Sequence, residues 1–248
     1  MRLLAPLLLV LMAAHAAADP ATAGGGASLT PALRKATAVY NHACAWCHGK
    51  DGRGDGPAAF SINKYLSPRP RDLTHGRFKL RSTPSGELPT DEDLLRTLER
   101  GIPGYMPSFR GLTAGERQLA VTAVKRFYPA FASAHPMPVS LPQPPTLDAA
   151  AVARGHQTYE AAGCASCHGE RGHGDGPSAS QLKDESGLRI RPADLRYPAR
   201  FKNGAEALDV YRTLVTGLDG TPMPSYAGVF EDPGTLWDLV AYVGSLAR

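Results

Sequence analysis

The chain has 248 residues, 43% hydrophobic and 20% charged, with 26 Gly and 22 Pro, a globular composition with room for one or two domains. Its net charge of +4 lacks the concentrated basicity of a nucleic-acid binder, and beyond the N-terminus no stretch reaches the roughly 18 unbroken apolar residues of a membrane span. Four cysteines are too few for a disulfide scaffold, so their spacing carries the information.

Residues 1–18 combine Arg2, an apolar run from Leu3 to Ala14 and the small residues Ala16-Ala17-Ala18, the layout of a secretory signal cleaved after Ala18. That run of 12 residues is short of the roughly 20 that span a bilayer, so no integral membrane span is expected in the mature chain. An Ala/Gly/Thr-rich stretch through Thr30 reads as a flexible leader. Thr30 followed by Pro31 predicts a helix running toward Cys44. Thr90 predicts the cap of a second helix through Arg100, with Gly101 just past its end. Thr113-Ala114-Gly115-Glu116 is a capping box opening a third helix, apolar at Leu119, Ala120, Val124 and Phe127. The prolines at 136, 138, 142, 144 and 145 make 135–146 an extended linker, with Met137 read as ordinary packing. Beyond it Asp148, a segment over 206–216 ending at Gly217, and Asp232-Pro233 repeat the three helices, the last with Leu236, Leu239, Val240 and Val243 on one face. No run alternates for long enough to predict a strand. The expected fold is all-α, with more loop than a compact domain tolerates unless something other than side chains fills its middle.

The order of elements repeats because the sequence does. Cys44-Ala45-Trp46-Cys47-His48-Gly49 returns 120 residues later as Cys164-Ala165-Ser166-Cys167-His168-Gly169. Gly54-Asp55-Gly56-Pro57 returns at 174–177, Arg77-Phe78-Lys79 at 200–202, and Met106-Pro107-Ser108-Phe109 as Met223-Pro224-Ser225-Tyr226. Two copies of this size predict duplicated domains over 19–134 and 147–248, joined by the linker.

In Cys-x-x-Cys-His, two thiols three residues apart on a helical turn reach both vinyl groups of one porphyrin, and the adjacent His offers a neutral imidazole to its iron. Cys44/Cys47 and Cys164/Cys167 therefore read as covalent attachment points for two haem c groups, with His48 and His168 as iron ligands. The alternatives are a zinc site uniting the two Cys pairs, which leaves the two histidines without a role, or a dithiol redox centre, which wants a βαβ context. Of the three methionines beyond residue 18, Met106 and Met223 share a Met-Pro-Ser-aromatic context after a helix and a Gly-containing turn, which marks them as the second axial ligands. His42 and His75 are competing candidates in the first copy but have no counterparts, and His156 and His173 read as surface residues.

Weaker signals surround these. Gly54-Asp55-Gly56-Pro57 and its copy read equally as a loop shielding the haem edge or as a plain turn. Arg69, Arg71, Arg81 and Arg191 are candidates to neutralise haem propionates. Trp46 and Tyr40 are expected near the first haem, and Phe127 and Tyr128 between the last and first helices of their domain. Residues 19–134 carry 16 Lys+Arg against 10 Asp+Glu, whereas 147–248 carry 10 against 13, so the first half is predicted to face an acidic redox partner unless its charge is merely solubilising.

From about Thr30 to Leu246 the motifs resemble those of the periplasmic diheme cytochromes c, built of two class I cytochrome c domains in tandem. The resemblance implies an α-helical fold in which the first and last helices of each domain cross beside the haem. It also implies a periplasmic role in electron transfer between a redox protein donor and acceptor, as a free carrier or as a subunit of a redox enzyme. The chain departs from its own repeat between His75 and Thr90, a stretch shortened in the second copy, which places a loop of unknown purpose near the first haem. A rival from the enzyme class is a diheme cytochrome c peroxidase, which needs an iron with a missing or displaceable ligand; matched Met in both halves counts against it.

Overall fold

The computed structural model describes residues 30–62 and 68–248; the expected signal and leader lie outside the described residues. In the first domain the Thr30 hydroxyl accepts the Leu33 N–H and starts α1 (Pro31–Ala43), which leads into the single turn α2 (Ala45–His48). A short α3 (Pro57–Ile62) follows, then α4 (Asp91–Arg100) and α5 (Ala114–Lys125), both opened by reciprocal capping boxes from Thr90/Asp93 and Thr113/Glu116. Each such cap contributes on the order of 1 kcal/mol. α1 and α5 cross and bury Ala36, Tyr40, Ala120 and Val121, with Leu94 and Leu98 of α4 against them. The second domain repeats this with α6 (Ala149–Ala161), the turn α7 (Ala165–His168), α8 (Ala207–Thr216) and α9 (Gly234–Ser245). Among the described residues there is no strand, only isolated bridges at Ile102–Met106 and Lys183–Arg189.

Several expectations need correction. α9 buries Trp237, Ala241 and Tyr242 as well as Leu236, Leu239, Val240 and Val243, because it packs on both α6 and α8 and so is covered on more than the one expected face. Phe127 lies beyond the end of α5, yet its ring still meets Tyr40 at 4.9 Å. Met137 is 71% exposed and so does not pack, and Trp46 is 66% exposed. Tyr40 is buried.

The two domains meet over the stretch between His75 and Thr90. Arg81, 1% exposed, donates to the Asp219 carboxylate and the Thr216 carbonyl at 2.7 Å each. Ser85 and the Gly86 N–H donate to the same carboxylate at 2.8 Å, so the loop without a full counterpart is a docking element. The linker joins it, with the Val139 N–H on the Ser82 carbonyl at 2.7 Å. From α4, Arg96 and Arg100 reach Asp209 of α8, and Arg96 also holds Asn203. Arg71 and Arg77 pair with Glu185. Part of the opposite charge of the two halves is thereby spent on each other.

Candidate functional site

Each Cys-x-x-Cys-His segment is a helical turn held by its own backbone. His48 donates its N–H to the Cys44 carbonyl at 2.9 Å, and His168 to that of Cys164 at 2.9 Å. The glycine motif folds back onto that turn, with Gly54 N–H on the His48 carbonyl at 2.8 Å and Gly174 N–H on that of His168 at 2.7 Å. A Cβ on Gly56 would stand 2.5 Å from the Trp46 carbonyl oxygen, and one on Gly176 2.4 Å from that of Ala165. The motif thus braces the attachment turn by close backbone contact, which only glycine permits, and is more than a plain turn.

Below it, the Tyr40 hydroxyl donates to the Gly49 carbonyl at 2.8 Å and the Tyr159 hydroxyl to that of Gly169 at 2.7 Å. The second copy has one more residue between tyrosine and cysteine. Gly163, at φ +72°, absorbs it, and the Cys164 N–H reaches the Tyr159 carbonyl where Cys44 reaches that of Tyr40.

The imidazoles are set the same way. His48 Nδ1 lies 2.9 Å from the Arg71 carbonyl oxygen, and His168 Nδ1 3.0 Å from that of Ala193. A carbonyl only accepts, so the proton sits on Nδ1 and Nε2 keeps a bare lone pair, the form a metal takes. Burial lowers the pKa of both rings and favours that neutral state. Burial, with the neighbouring Cys47, pushes the Cys44 thiol up to about 11, and burial also raises Cys164. Neither thiol has the depressed pKa of a reactive dithiol. Among the described residues no group of three or more His, Cys, Asp or Glu gathers that could hold a metal ion, so the two Cys pairs do not unite in a zinc site.

The methionines sit in loops locked to the ends of α4 and α8. Ile102 and Met106 exchange backbone hydrogen bonds at 2.8 and 2.9 Å, and the Leu218 N–H reaches the Met223 carbonyl at 3.1 Å. Phe109 and Tyr226 close the loops through N–H bonds of 2.8 Å to Leu98 and Leu214. Met106 packs on the first core and Met223 on the second. In the second domain Cys164, Cys167, His168 and Met223 line one cavity of about 880 Å³, within the range of about 300–1,000 Å³ that accommodates cofactors. Its walls include Tyr226, Leu239 and Arg191, so apolar sides and a cation suit a porphyrin with carboxylate arms.

Other candidates sort differently. His42, His75 and His156 are exposed, the His156 ring tilted against that of Tyr242 with centroids 4.9 Å apart. His173 is a wall of the cavity and not a plain surface residue, because the loop before Gly174 folds over it. Arg71 and Arg81 are committed to acids of the second domain, whereas Arg69 lies over the Phe60 ring with its Nε buried and without a protein partner. Lys202, which also lines the cavity, carries no sequence signal beyond its place in the repeat.

The family model for cytochrome c matches residues 152–247, and that for the cbb3-type cytochrome c oxidase subunit III matches 31–123. A chain of the reducing HAO-like protein complex of Kuenenia stuttgartiensis is 40% identical, with a TM-score of 0.81 over 86% of this chain and 96% of that one. This chain belongs to the diheme cytochromes c. The cytochrome carries two covalently attached haem c groups, at Cys44/Cys47 and Cys164/Cys167. Its two domains make it a protein of haem-based electron transfer. No curated protein matches it. No helix among the described residues is long and apolar enough to cross a membrane.

Proposed function

We propose that this cytochrome is a periplasmic electron-transfer protein, in which His48 and Met106 would hold the haem iron of the first domain and His168 and Met223 that of the second. Held by these residues, haem would supply one-electron chemistry between the ferrous and ferric states. The observation that carries the assignment is the pair of imidazoles fixed through Nδ1 on carbonyls, with Nε2 left bare, and Met223 lining the same cavity as His168. The thioether is a soft ligand that favours the ferrous state and raises the reduction potential. The matched Met106 and Met223 loops favour a carrier over a diheme peroxidase, which needs an iron with a missing or displaceable ligand. The 40% identity to a chain of a two-protein complex supports a haem subunit that exchanges electrons with redox protein partners.

The ferric protein is expected to show the weak near-infrared charge-transfer band of sulfur ligation, and Met106→Ala and Met223→Ala each to remove one of two contributions to it. An undiminished band in either variant rejects that ligand. Mass spectrometry of the denatured protein is expected to find two haem additions on a chain starting near Asp19. A chain that keeps Met1 rejects the secretory reading.

A further inference from the structure

The two domains fill the space beside one repeated phenylalanine differently. Phe78 and Phe201 hold equivalent places in the Arg-Phe-Lys segments. In the first domain the short turn Pro129–Ala132 after α5 brings Phe131 edge-on to Phe78, with ring centroids 5.6 Å apart, and buries it. Lys125, the last residue of α5, lies over the Phe131 ring at 5.7 Å and pairs with Asp91, the first residue of α4, at 2.7 Å. In the second domain the matching residues are Ser245, the last of α9, and Ala207, the first of α8. Both line, with Phe201, an open cavity of about 380 Å³. The residues after α9 go elsewhere, the Arg248 N–H reaching the Arg196 carbonyl at 3.0 Å, so among the described residues nothing takes the place of Phe131.

What the cavity accepts follows from its walls. They carry no charged side chain and include Val152, Val210 and Val243. An aromatic ring that leaves water for such a cavity is stabilised by apolar burial. The first domain shows the ring in question, on an uncharged Pro-Ala-Phe-Ala turn. The residues before Thr30 contain no Phe, Tyr or Trp, so the leader brings no such ring. Among the described residues the large exposed aromatics are Trp46, Phe60, Tyr105 and Tyr197. The last three lie under Arg69, Lys202 and the pair Arg196 and Arg200, cations that an uncharged cavity would have to strip of water. That leaves only Trp46 for a second copy to offer. The cavity also shares Phe201, Val210 and Val243 with the larger cavity of Cys164, Cys167, His168 and Met223, so a ring seated in it stands one layer of side chains from the second haem site.

We propose that this cavity is the docking socket for an uncharged, aromatic-bearing turn of a redox partner protein, which completes the second domain as Phe131 completes the first. This rests on the reading that the cytochrome is a haem subunit exchanging electrons with protein partners. Docking there brings the partner against the wall that the socket shares with the second haem site.

The probe is a synthetic peptide of residues 126–134 of this chain, titrated into the reduced two-haem protein while the amide resonances of Ala207, Gly244 and Ser245 are followed. Those resonances are expected to shift to saturation. Phe131→Ala in the peptide and Gly244→Phe in the protein are each expected to weaken binding by about tenfold or more. A Cβ on Gly244 meets nothing within 4 Å, so the new ring fills the cavity from α9. If that variant does not fold or loses a haem, Gly244→Leu gives the same reading. No shift, or a shift indifferent to Phe131 or to the filled cavity, overturns the socket. The occupant is read in the source cells with the photo-cross-linker p-benzoylphenylalanine in place of Glu206, an exposed residue beside Ala207. The expected product joins this chain to an aromatic-bearing segment of a different protein and is lost with Gly244→Phe. A cross-link to another copy of this chain, or none, overturns the partner. Fewer than two haems by mass in the unsubstituted protein would instead overturn the reading beneath it.

Discussion

The two domains solve one problem with different parts. Both fasten the tyrosine of their first helix to the glycine after Cys-x-x-Cys-His, and both seat the histidine on a carbonyl from the segment that follows. They differ where helices cross. Four residues before the tyrosine, α1 has Ala36 and α6 has Gly155, and a Cβ on Gly155 would stand 1.9 Å from the Asp238 carbonyl oxygen. α6 therefore lies closer to α9 than an alanine would allow, and α9 is covered on more of its faces than its counterpart α5. The first domain has the long loop of 76–89 instead, which buries Arg81 against the second domain. What the haem requires is repeated bond by bond, whereas helix packing and docking have diverged.

The sharpest way to break the comparison is at the junction. Asp219→Ala leaves Arg81 buried without its carboxylate, a change expected to cost about 3–5 kcal/mol of docking energy. Calorimetry of the holoprotein should then resolve two transitions in place of one; a single unmoved transition would show that the domains do not lean on this pair. Next comes the helix crossing. Gly155→Ala should lower stability by about 3 kcal/mol in denaturant titration, since the nearest obstacle is backbone, while Ala36→Gly should cost about 1 kcal/mol. Equal losses would mean that the crossings are equivalent after all. The smallest effect probes what the domains share: Tyr40→Phe and Tyr159→Phe should each cost about 1–2 kcal/mol by leaving a buried carbonyl without its donor. A clear inequality between these two would argue against a common design of the attachment turn.

The cysteine, histidine and methionine positions, the helix starts at Thr30, Thr90, Thr113 and Asp148 and the all-α class are legible in the sequence. Each depends on residues a few positions apart, so composition and spacing carry the chemistry. The repeat adds a second reading of every motif. Only the tertiary structure decided the rest. Arg71, Arg77, Arg81, Arg96 and Arg100 find Glu185, Asp209 and Asp219 more than a hundred residues away, and nothing local distinguishes them from solvated surface arginines. His173 reads as a surface residue for the same reason. Burial and charge pairing belong to the folded neighbourhood of a side chain, and that neighbourhood comes from parts of the chain that have no periodic relation to it.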